Sequence, residues 1–351
     1  MPAVVRNATG PRISVIVPTY NRAHLLPRAI DSVLRAVSPG DEVIVVDDGS
    51  TDGTERITER YSEKIRYVRT ENRGAGPARN LGIQMANHDW IAFLDSDDEW
   101  MPDHLDLHRA FHSACDVPFS FSNFDVHYDQ SPDKAPGRMK LVSWTRDSRS
   151  WDEILGKGVP YSQFAELPAA RKDFTVHIGS LRPVMWRTSY VPTVTSLVRR
   201  DLVGERLRFP EDLPTYEDYE CYIGLSNLGK AAYLDCSTAI NHGHGGPRIS
   251  EVNRWTSVTT LLTILERNWG SDTEFLRSNR GKYESCRNEL KKIQVKQMIL
   301  RGDTKRARQE FREIKNLPLY IRILGFLPGF AVRIMSQFYN FVRDGGKKIS
   351  T

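Results

Sequence analysis

Four times in its first hundred residues this chain sets a short apolar run beside a stretch of helical spacing, and that alternation permits few folds. The runs are Ile13-Ser-Val-Ile-Val17, Glu42-Val-Ile-Val-Val46, residues 65–68, and Trp90-Ile-Ala-Phe-Leu94. Each is short, mostly β-branched or aromatic, and reads as a buried strand. Between the first two, Leu25, Leu26, Ile30, Val33, Leu34 and Val37 recur three and four apart, predicting a helix over 22–37. Helices are predicted again over 54–61 and over 77–85, the latter with proline in its first turn. Strand–helix alternation of this kind builds βαβ units and a parallel sheet. The fold class is therefore α/β, a mainly parallel central sheet flanked by helices. Such sheets bind ligands beyond the carboxyl ends of their strands. Three polar clusters stand there: Pro18-Thr-Tyr-Asn21, Asp47-Asp-Gly-Ser50 and Asp95-Ser-Asp-Asp98.

The chain has 351 residues, 40% hydrophobic and 26% charged, which excludes collagen-like, disordered and disulfide-scaffold classes. Its net charge of +5 is unevenly spread. Residues 271–351 hold 18 Lys and Arg against 8 Asp and Glu, while residues 1–270 hold 31 against 36, so an acidic body carries a basic tail. Cys115, Cys221, Cys236 and Cys286 are far apart with no CxxC pair, a spacing that suits neither a zinc site nor a disulfide framework. With no long apolar run at the N-terminus, the expected setting is reduced and cytoplasmic. The most apolar stretch, 317–342, is broken by Arg322, Pro328 and Arg333, which argues against a spanning helix.

Asp95-Ser-Asp97 is the most informative motif. Two carboxylates one residue apart at a strand end can share a divalent cation, Mg²⁺ or Mn²⁺, with a substrate diphosphate. The competing reading is a solvated acidic turn, and the apolar run before it together with the converging clusters favours the site. In Asp47-Asp-Gly-Ser-Thr-Asp52, Gly49 supplies an unusual φ, and a Ser or Asp caps the next helix. Asn72-Arg-Gly-Ala-Gly-Pro-Ala-Arg-Asn80 sets glycines before a helix and two arginines suited to phosphate oxygens. The chain has no GxxxxGK[ST] run, and no GxGxxG follows the first strand, so P-loop and dinucleotide-binding readings lack support.

Together, Ser14-Val-Ile-Val-Pro-Thr-Tyr-Asn-Arg22, Val45-Val-Asp-Asp-Gly-Ser-Thr-Asp52, Asn72-Arg-Gly, Ala78-Arg-Asn-Leu-Gly82 and Phe93-Leu-Asp-Ser-Asp-Asp98 resemble family 2 glycosyltransferases of the GT-A fold, densely over about the first 115 residues. The resemblance implies a nucleotide-sugar donor, a divalent metal and inversion at the anomeric carbon. It implies that Pro18 and Tyr20 flank the nucleobase, that Asp48 hydrogen-bonds it, usually as uracil, and that Arg79 lies near the nucleotide. Asp95 and Asp97 match the DxD pair around Ser96, with Asp97 the direct metal ligand. Val194-Thr-Ser-Leu-Val-Arg-Arg200 and Phe209-Pro-Glu-Asp-Leu-Pro-Thr-Tyr-Glu-Asp-Tyr-Glu220 resemble the family's acceptor half, where a Glu-Asp pair supplies the base. Glu217 and Asp218 fit that pair, although an Asp at a helix start also suits capping. An inverting displacement needs such a carboxylate to take the acceptor hydroxyl's proton. In Asn241-His-Gly-His-Gly-Gly-Pro-Arg-Ile-Ser250, His244 matches a residue that can meet metal or diphosphate, and Arg248 is a second candidate for diphosphate.

Residues 119–191 show little periodicity and read as acceptor-side loops holding Asp125, His127, Trp144, Trp151 and Trp186. Beyond about residue 249 the pattern is helical and basic. The expected organisation is a GT-A catalytic domain over 11–248 and a helical basic region over 249–351. Basic, apolar-rich helices can lie in a membrane interface. An anionic membrane surface at the inner face of the cytoplasmic membrane is thus the expected partner of the tail, packing on the catalytic body being the alternative. Nucleic acid is not expected, since no binding module accompanies the charge. Two other readings are a non-catalytic nucleotide-sugar-binding scaffold and a nucleotidyltransferase. The intact Asp95, Asp97 and Asp218 oppose the first, and Pro18-Thr-Tyr-Asn21, standing where a basic glycine-rich loop belongs, opposes the second.

Overall fold

A computed structural model describes residues 10–128, 137–138, 145, 147–169, 171–243 and 254–335. The chain divides into two compact units, one formed by 1–213 with 217–246 and the other by 214–216 with the residues after 246.

In the first unit the strands are β1 (Ile13–Thr19), β2 (Glu42–Asp47), β3 (Arg66–Arg69), β4 (Trp90–Phe93), β5 (Glu99–Trp100), β6 (Phe119–Tyr128), β7 (Gly137–Arg138), β8 (Val159–Pro160), β9 (Thr175–Gly179), β10 (Ser196–Arg199) and β11 (Ala231–Gly243). They form one sheet in the order β3-β2-β1-β4-β10-β6-β11-β9-β8, with β5 paired to β11 and β7 to β6. The first four strands are mutually parallel. Beyond them β10 runs antiparallel to both β4 and β6, and β11 runs parallel to β6. The sheet is thus a parallel half joined to a mixed half.

That topology positions the site. β10 reverses direction twice over between β4 and β6, so β6 and β11 point the same way as β1 to β4. Six strands therefore end on one edge, and β10 begins there. Thr19, Asp47 and Arg69 stand in register at that edge. Every residue of β1 is buried, as expected of a strand covered on both faces.

The helices of this unit are α1 (Leu26–Ala36), α2 (Thr54–Thr58), α3 (Ala75–Met85), α4 (His104–Ala114), α5 (Trp151–Leu155) and α6 (Glu217–Ser226). α1 buries Leu26, Ile30 and Val33, the apolar stripe of the sequence, and carries its proline in the first turn. Gly49 adopts φ +79, and a Cβ there would meet the Asn72 amide nitrogen at 2.8 Å, so the turn after β2 requires glycine.

The loop expectation for 119–191 is corrected at β6, a ten-residue strand. Its Phe-Ser alternation suggests one wet face, yet Ser120 and Ser122 are fully buried. They are satisfied by α4 and β11: Ser120 Oγ meets His108 Nδ1 at 2.7 Å and His112 Nε2 at 2.8 Å, while Ser122 Oγ meets Thr238 Oγ1 at 2.5 Å. Asp125 and His127 thus lie on a strand. Trp151 is a core residue stacked on Tyr233 at 4.1 Å, and Trp186 is buried as well; Trp144 lies outside the described residues.

The second unit contains α7 (Arg254–Trp269), α8 (Thr273–Leu300), α9 (Thr304–Glu310) and α10 (Leu319–Phe326). Val295, Met298, Ile299, Ala307, Leu317 and Ile321 form its core. No helix among the described residues is long and apolar enough to cross a membrane.

Candidate active site

Three loops leave the common strand edge and are tied together by side chains. After β1, the Asn21 N–H donates to Ser50 Oγ and the Thr51 N–H donates to Asn21 Oδ1, both at 2.8 Å. Pro18 is buried within β1, whereas the Tyr20 side chain is 45% exposed. After β2, Asp48 accepts the backbone N–H of Arg73 on Oδ1 and of Gly74 on Oδ2, each at 2.8 Å. Asp48 therefore holds the turn that starts α3, and burial raises its pKa above the usual carboxylate value even against these two donors. A carboxylate has about four acceptor sites, so these two bonds leave capacity for a base edge.

After β4 comes the Asp95–Asp98 turn. Ser96 and Asp98 are buried, which excludes a fully solvated acidic loop. Asp98 accepts the Asn241 amide at 3.0 Å and the His242 N–H at 3.2 Å. Its pKa lies well above the ordinary value because of burial and the neighbouring Asp97 and Asp95. His242 Nε2 reaches Glu99 at 3.3 Å, so the end of β11 secures the turn from one side. From the other side, Arg28 donates to the Asp97 carbonyl at 2.7 Å, and Arg22 lies 3.7 Å from the Asp97 carboxylate.

Arg79 links this turn to the start of α6. Its Nη2 donates to Asp95 at 2.7 Å and its Nη1 to Glu217 at 2.8 Å. The guanidinium is buried and lies 5.2 Å from the Phe209 ring centroid. Burial opposes its charge, but Asp95, Glu217 and Asp218 outweigh burial and raise its pKa. Gly76, one turn before Arg79 on α3, allows the approach: a Cβ there would stand 3.2 Å from Glu217 Cγ and 3.1 Å from the Pro210 carbonyl oxygen. Burial raises the Asp95 pKa, with Arg79 opposing.

Asp218 is half-buried beside this bridge. Thr193 Oγ1 donates to its Oδ2 at 3.2 Å, and its own Oδ1 accepts the Tyr219 N–H at 2.7 Å. Burial and the adjacent Glu217 push its carboxyl up to about 6, with Arg79 working in the other direction. One oxygen thus faces the backbone and the other a hydroxyl.

The turn's donor set can be matched to a cation. Mg²⁺ and Mn²⁺ commonly take one or two carboxylates and complete their shell with substrate phosphates. Asp95 and Asp97 provide hard oxygens one residue apart, and the repulsion that raises Asp98 would be relieved by a positive ion. Among the described residues, no group of three or more His, Cys, Asp and Glu could hold a metal. The residues fit an ion shared with a diphosphate rather than caged by protein.

Residues 14–159 match the family model described as "Glycosyl transferase family 2". This segment of the chain carries the glycosyltransferase family 2 match. The chain is 40% identical over 120 residues to the putative teichuronic acid biosynthesis glycosyltransferase TuaG of Bacillus subtilis, covering 33% of this chain and 48% of TuaG. It is 33% identical over 116 residues to WfgD of Escherichia coli, a UDP-Glc:alpha-D-GlcNAc-diphosphoundecaprenol beta-1,3-glucosyltransferase, covering 32% of this chain and 46% of WfgD. Against an uncharacterized glycosyltransferase of Nostoc sp. it is 42% identical over 182 residues, covering 50% and 56%. The chain thus aligns with about half the length of these curated relatives.

Among solved structures, S. aureus TarS 1–349 in complex with UDP-GlcNAc superposes with a TM-score of 0.54 at 19% identity, covering 95% of this chain and 92% of that one. The mannosyltransferase PcManGT from Pyrobaculum calidifontis, in complex with GDP-Man and Mn²⁺, gives 0.51 at 17% identity, covering 96% and 89%. At these identities the likeness establishes the fold, which is GT-A-like with a helical C-terminal region.

Of the residues singled out from the sequence, the fold brings Arg79, Asp95 and Glu217 into direct contact and sets Asp97 and Asp218 beside them. Pro18, Tyr20 and Asp48 stand at the same edge on neighbouring strand ends. His244 and Arg248 lie outside the described residues. Sequence reasoning missed the supports: Arg22 and Arg28 around Asp97, Asn241 and His242 on Asp98, and Thr193 on Asp218. Arg22 closes the run that begins at Ser14 and was legible there; the others come together only through the sheet.

Proposed function

We propose that this transferase moves a hexosyl or N-acetylhexosaminyl group from a nucleotide-diphosphate donor, a UDP-sugar, to a hydroxyl of a glycan or lipid-linked glycan, with inversion at the anomeric carbon. In this reading residues 11–248 form the catalytic domain and 249–351 an appended region that meets an anionic membrane surface. The observation that carries it is the pairing of Asp218, with its carboxyl near 6, and the Glu217–Arg79–Asp95 bridge. A carboxylate poised near working pH can accept the acceptor hydroxyl's proton as that oxygen attacks the anomeric carbon. Thr193 and the Tyr219 N–H orient it.

Pro18 and Tyr20 flank the base and Asp48 accepts from it, while Asp95 and Ser96 meet the nucleotide-sugar near its diphosphate. Arg79 keeps Asp95 and Glu217 in place while neutralising part of their charge, and Arg248 approaches the diphosphate. A bound Mn²⁺ or Mg²⁺, held by Asp97 and Asp95 with His244 as a further ligand, would stabilise charge growing on the leaving diphosphate. The UDP-GlcNAc, UDP and GDP-Man found with the structural neighbours support a nucleotide-sugar donor, and the names TuaG and WfgD support an envelope polysaccharide acceptor.

The test is a panel of nucleotide sugars with Mn²⁺ or Mg²⁺, scored by thermal shift and by nucleotide release. A UDP-sugar should stabilise the protein only with the ion present, and Asp97→Ala should abolish that stabilisation. Equal stabilisation in Asp97→Ala, or none by any UDP-sugar, would remove the assignment.

A further inference from the structure

Large apolar side chains are exposed at ten places among the described residues, and seven of the ten fall between Leu319 and Met335. On α10 they lie on one face: Leu319 is 71% exposed, Ile323 56% and Phe326 71%, at spacings of four and three. The opposite face is also apolar, but Ile321 and Gly325 are buried, Ile321 within the unit's own core. Inward-facing residues satisfy the fold, and the outward face repeats the same chemistry toward solvent. The pattern continues past Pro328, where residues 329–335 are again helical and Phe330 and Ile334, four apart, are 65% and 61% exposed. A contiguous exposed apolar surface of this sort marks an interaction site.

Charge selects the partner. From Leu317 to Arg343 the chain has no Asp or Glu and three arginines, Arg322, Arg333 and Arg343, within a region carrying 18 Lys and Arg against 8 Asp and Glu. Arg322 and Arg333 are exposed beside the apolar face. A symmetric contact between two copies would press this basic surface against itself, since a two-fold interface uses the same patch twice. An anionic bilayer offers hydrocarbon for the apolar side chains and phosphates for the arginines. No described helix is long and apolar enough to span, so the segment would lie in the interface.

We propose that the outer face of α10 and of residues 329–335 is a docking surface for an anionic phospholipid bilayer. Ile323, Phe326 and Phe330 enter the boundary between headgroups and acyl chains, and Arg322 and Arg333 meet lipid phosphates. This deepens the membrane placement made with the transferase reading, and its test contains no donor, so its failure would leave that reading standing.

The experiment is co-sedimentation of the full chain with sucrose-loaded vesicles, either pure phosphatidylcholine or about seven parts phosphatidylcholine to three parts phosphatidylglycerol. Binding to the anionic vesicles should be at least about tenfold stronger, and should weaken as salt rises from about 0.1 to about 1 M. The triple substitution I323E, F326E and F330E should reduce binding at least about tenfold, with circular dichroism and UDP binding unchanged. The same residues changed to serine should give an intermediate loss, which separates lost apolar contact from added negative charge. The proposal is overturned if the intact chain ignores anionic vesicles, or if the triple variant binds them like wild type. It is equally overturned if sedimentation without lipid reveals a dimer that these substitutions dissociate, because the face would then belong to a second copy.

Discussion

Three histidines one turn apart on α4, His104, His108 and His112, are buried and held neutral, which makes the fold sensitive to acid in a way one substitution can isolate. His108 is the cleanest: fully buried, bonded through Nδ1 to Ser120 at 2.7 Å, and lowered by burial from 6.5 to about 3. A group whose folded pKa is depressed supplies stability above its unfolded pKa that is lost as pH falls toward the folded value. Below pH 6.5 the unfolded chain takes up a proton at His108 and the folded chain does not. The slope is about 1.4 kcal/mol per pH unit, giving about 2 kcal/mol between pH 7 and pH 5. Asp98 and Asp218, both raised, work in the opposite sense over that window, so the wild-type curve alone mixes the two. The difference between wild type and His108→Asn cancels them, along with any constant cost of the substitution. Urea unfolding at pH 7, 6 and 5 can be followed through Trp100, stacked 4.2 Å from His104, and Trp90, 5.4 Å from His112. Relative to wild type, the variant should gain about 2 kcal/mol from pH 7 to pH 5. Parallel curves, differing by a constant within about 0.5 kcal/mol, would refute a neutral buried His108.

Three further outcomes concern the site. Asp218→Asn should abolish transfer while donor affinity changes by less than about threefold. In wild type, log kcat/KM should rise with unit slope up to about pH 6 and then flatten, since the base must be deprotonated to act; a flat profile between pH 5 and 8 would exclude Asp218. Arg79→Lys should lower kcat at least about 100-fold and destabilise the fold by about 3 kcal/mol, because one ammonium cannot span two carboxylates that a guanidinium meets together. Near-normal turnover in that variant would mean the bridge is dispensable.

Much of the parallel half could be read in advance, because burial on both faces demands continuous apolar runs and β1, β2 and β4 have them. Boundaries slipped where local chemistry intervened: helix periodicity begins at Arg22, but α1 starts at Leu26, where Pro27 fits the first turn. In the mixed half β6 was obscure for a different reason. β6 alternates Phe with Ser, and serine signals solvent unless a partner is known; its partners are α4 histidines and Thr238, which no local spacing connects to it. His242 stood inside a glycine-rich run and resembled part of a loop, yet it continues β11 and holds Asp98. Asp95, Asp97 and Asp218 were singled out because their neighbours on the chain draw attention to them. Arg79 was found for its type, but its two contacts, 16 and 138 residues away in sequence, required the fold.

Those two contacts change what the arginine can do. A guanidinium near a nucleotide suggests a direct clamp on phosphate, but both terminal nitrogens of Arg79 are committed to carboxylates at 2.7 and 2.8 Å. In the proposed mechanism its effect passes through Asp95 and Glu217, one opening the turn that carries Asp97 and the other next to Asp218. A buried ion pair of this kind adds little net stability, since desolvation consumes most of the attraction, but removing one member leaves the others uncompensated. The physical role that remains is geometric. Asp95 and Glu217 come from segments more than a hundred residues apart, and a single planar fork fixes their separation. The spacing between Asp95 and Glu217 is then set by covalent geometry within one side chain rather than by loop packing, and in the proposed mechanism that is what would hold a leaving group and an attacking hydroxyl in line.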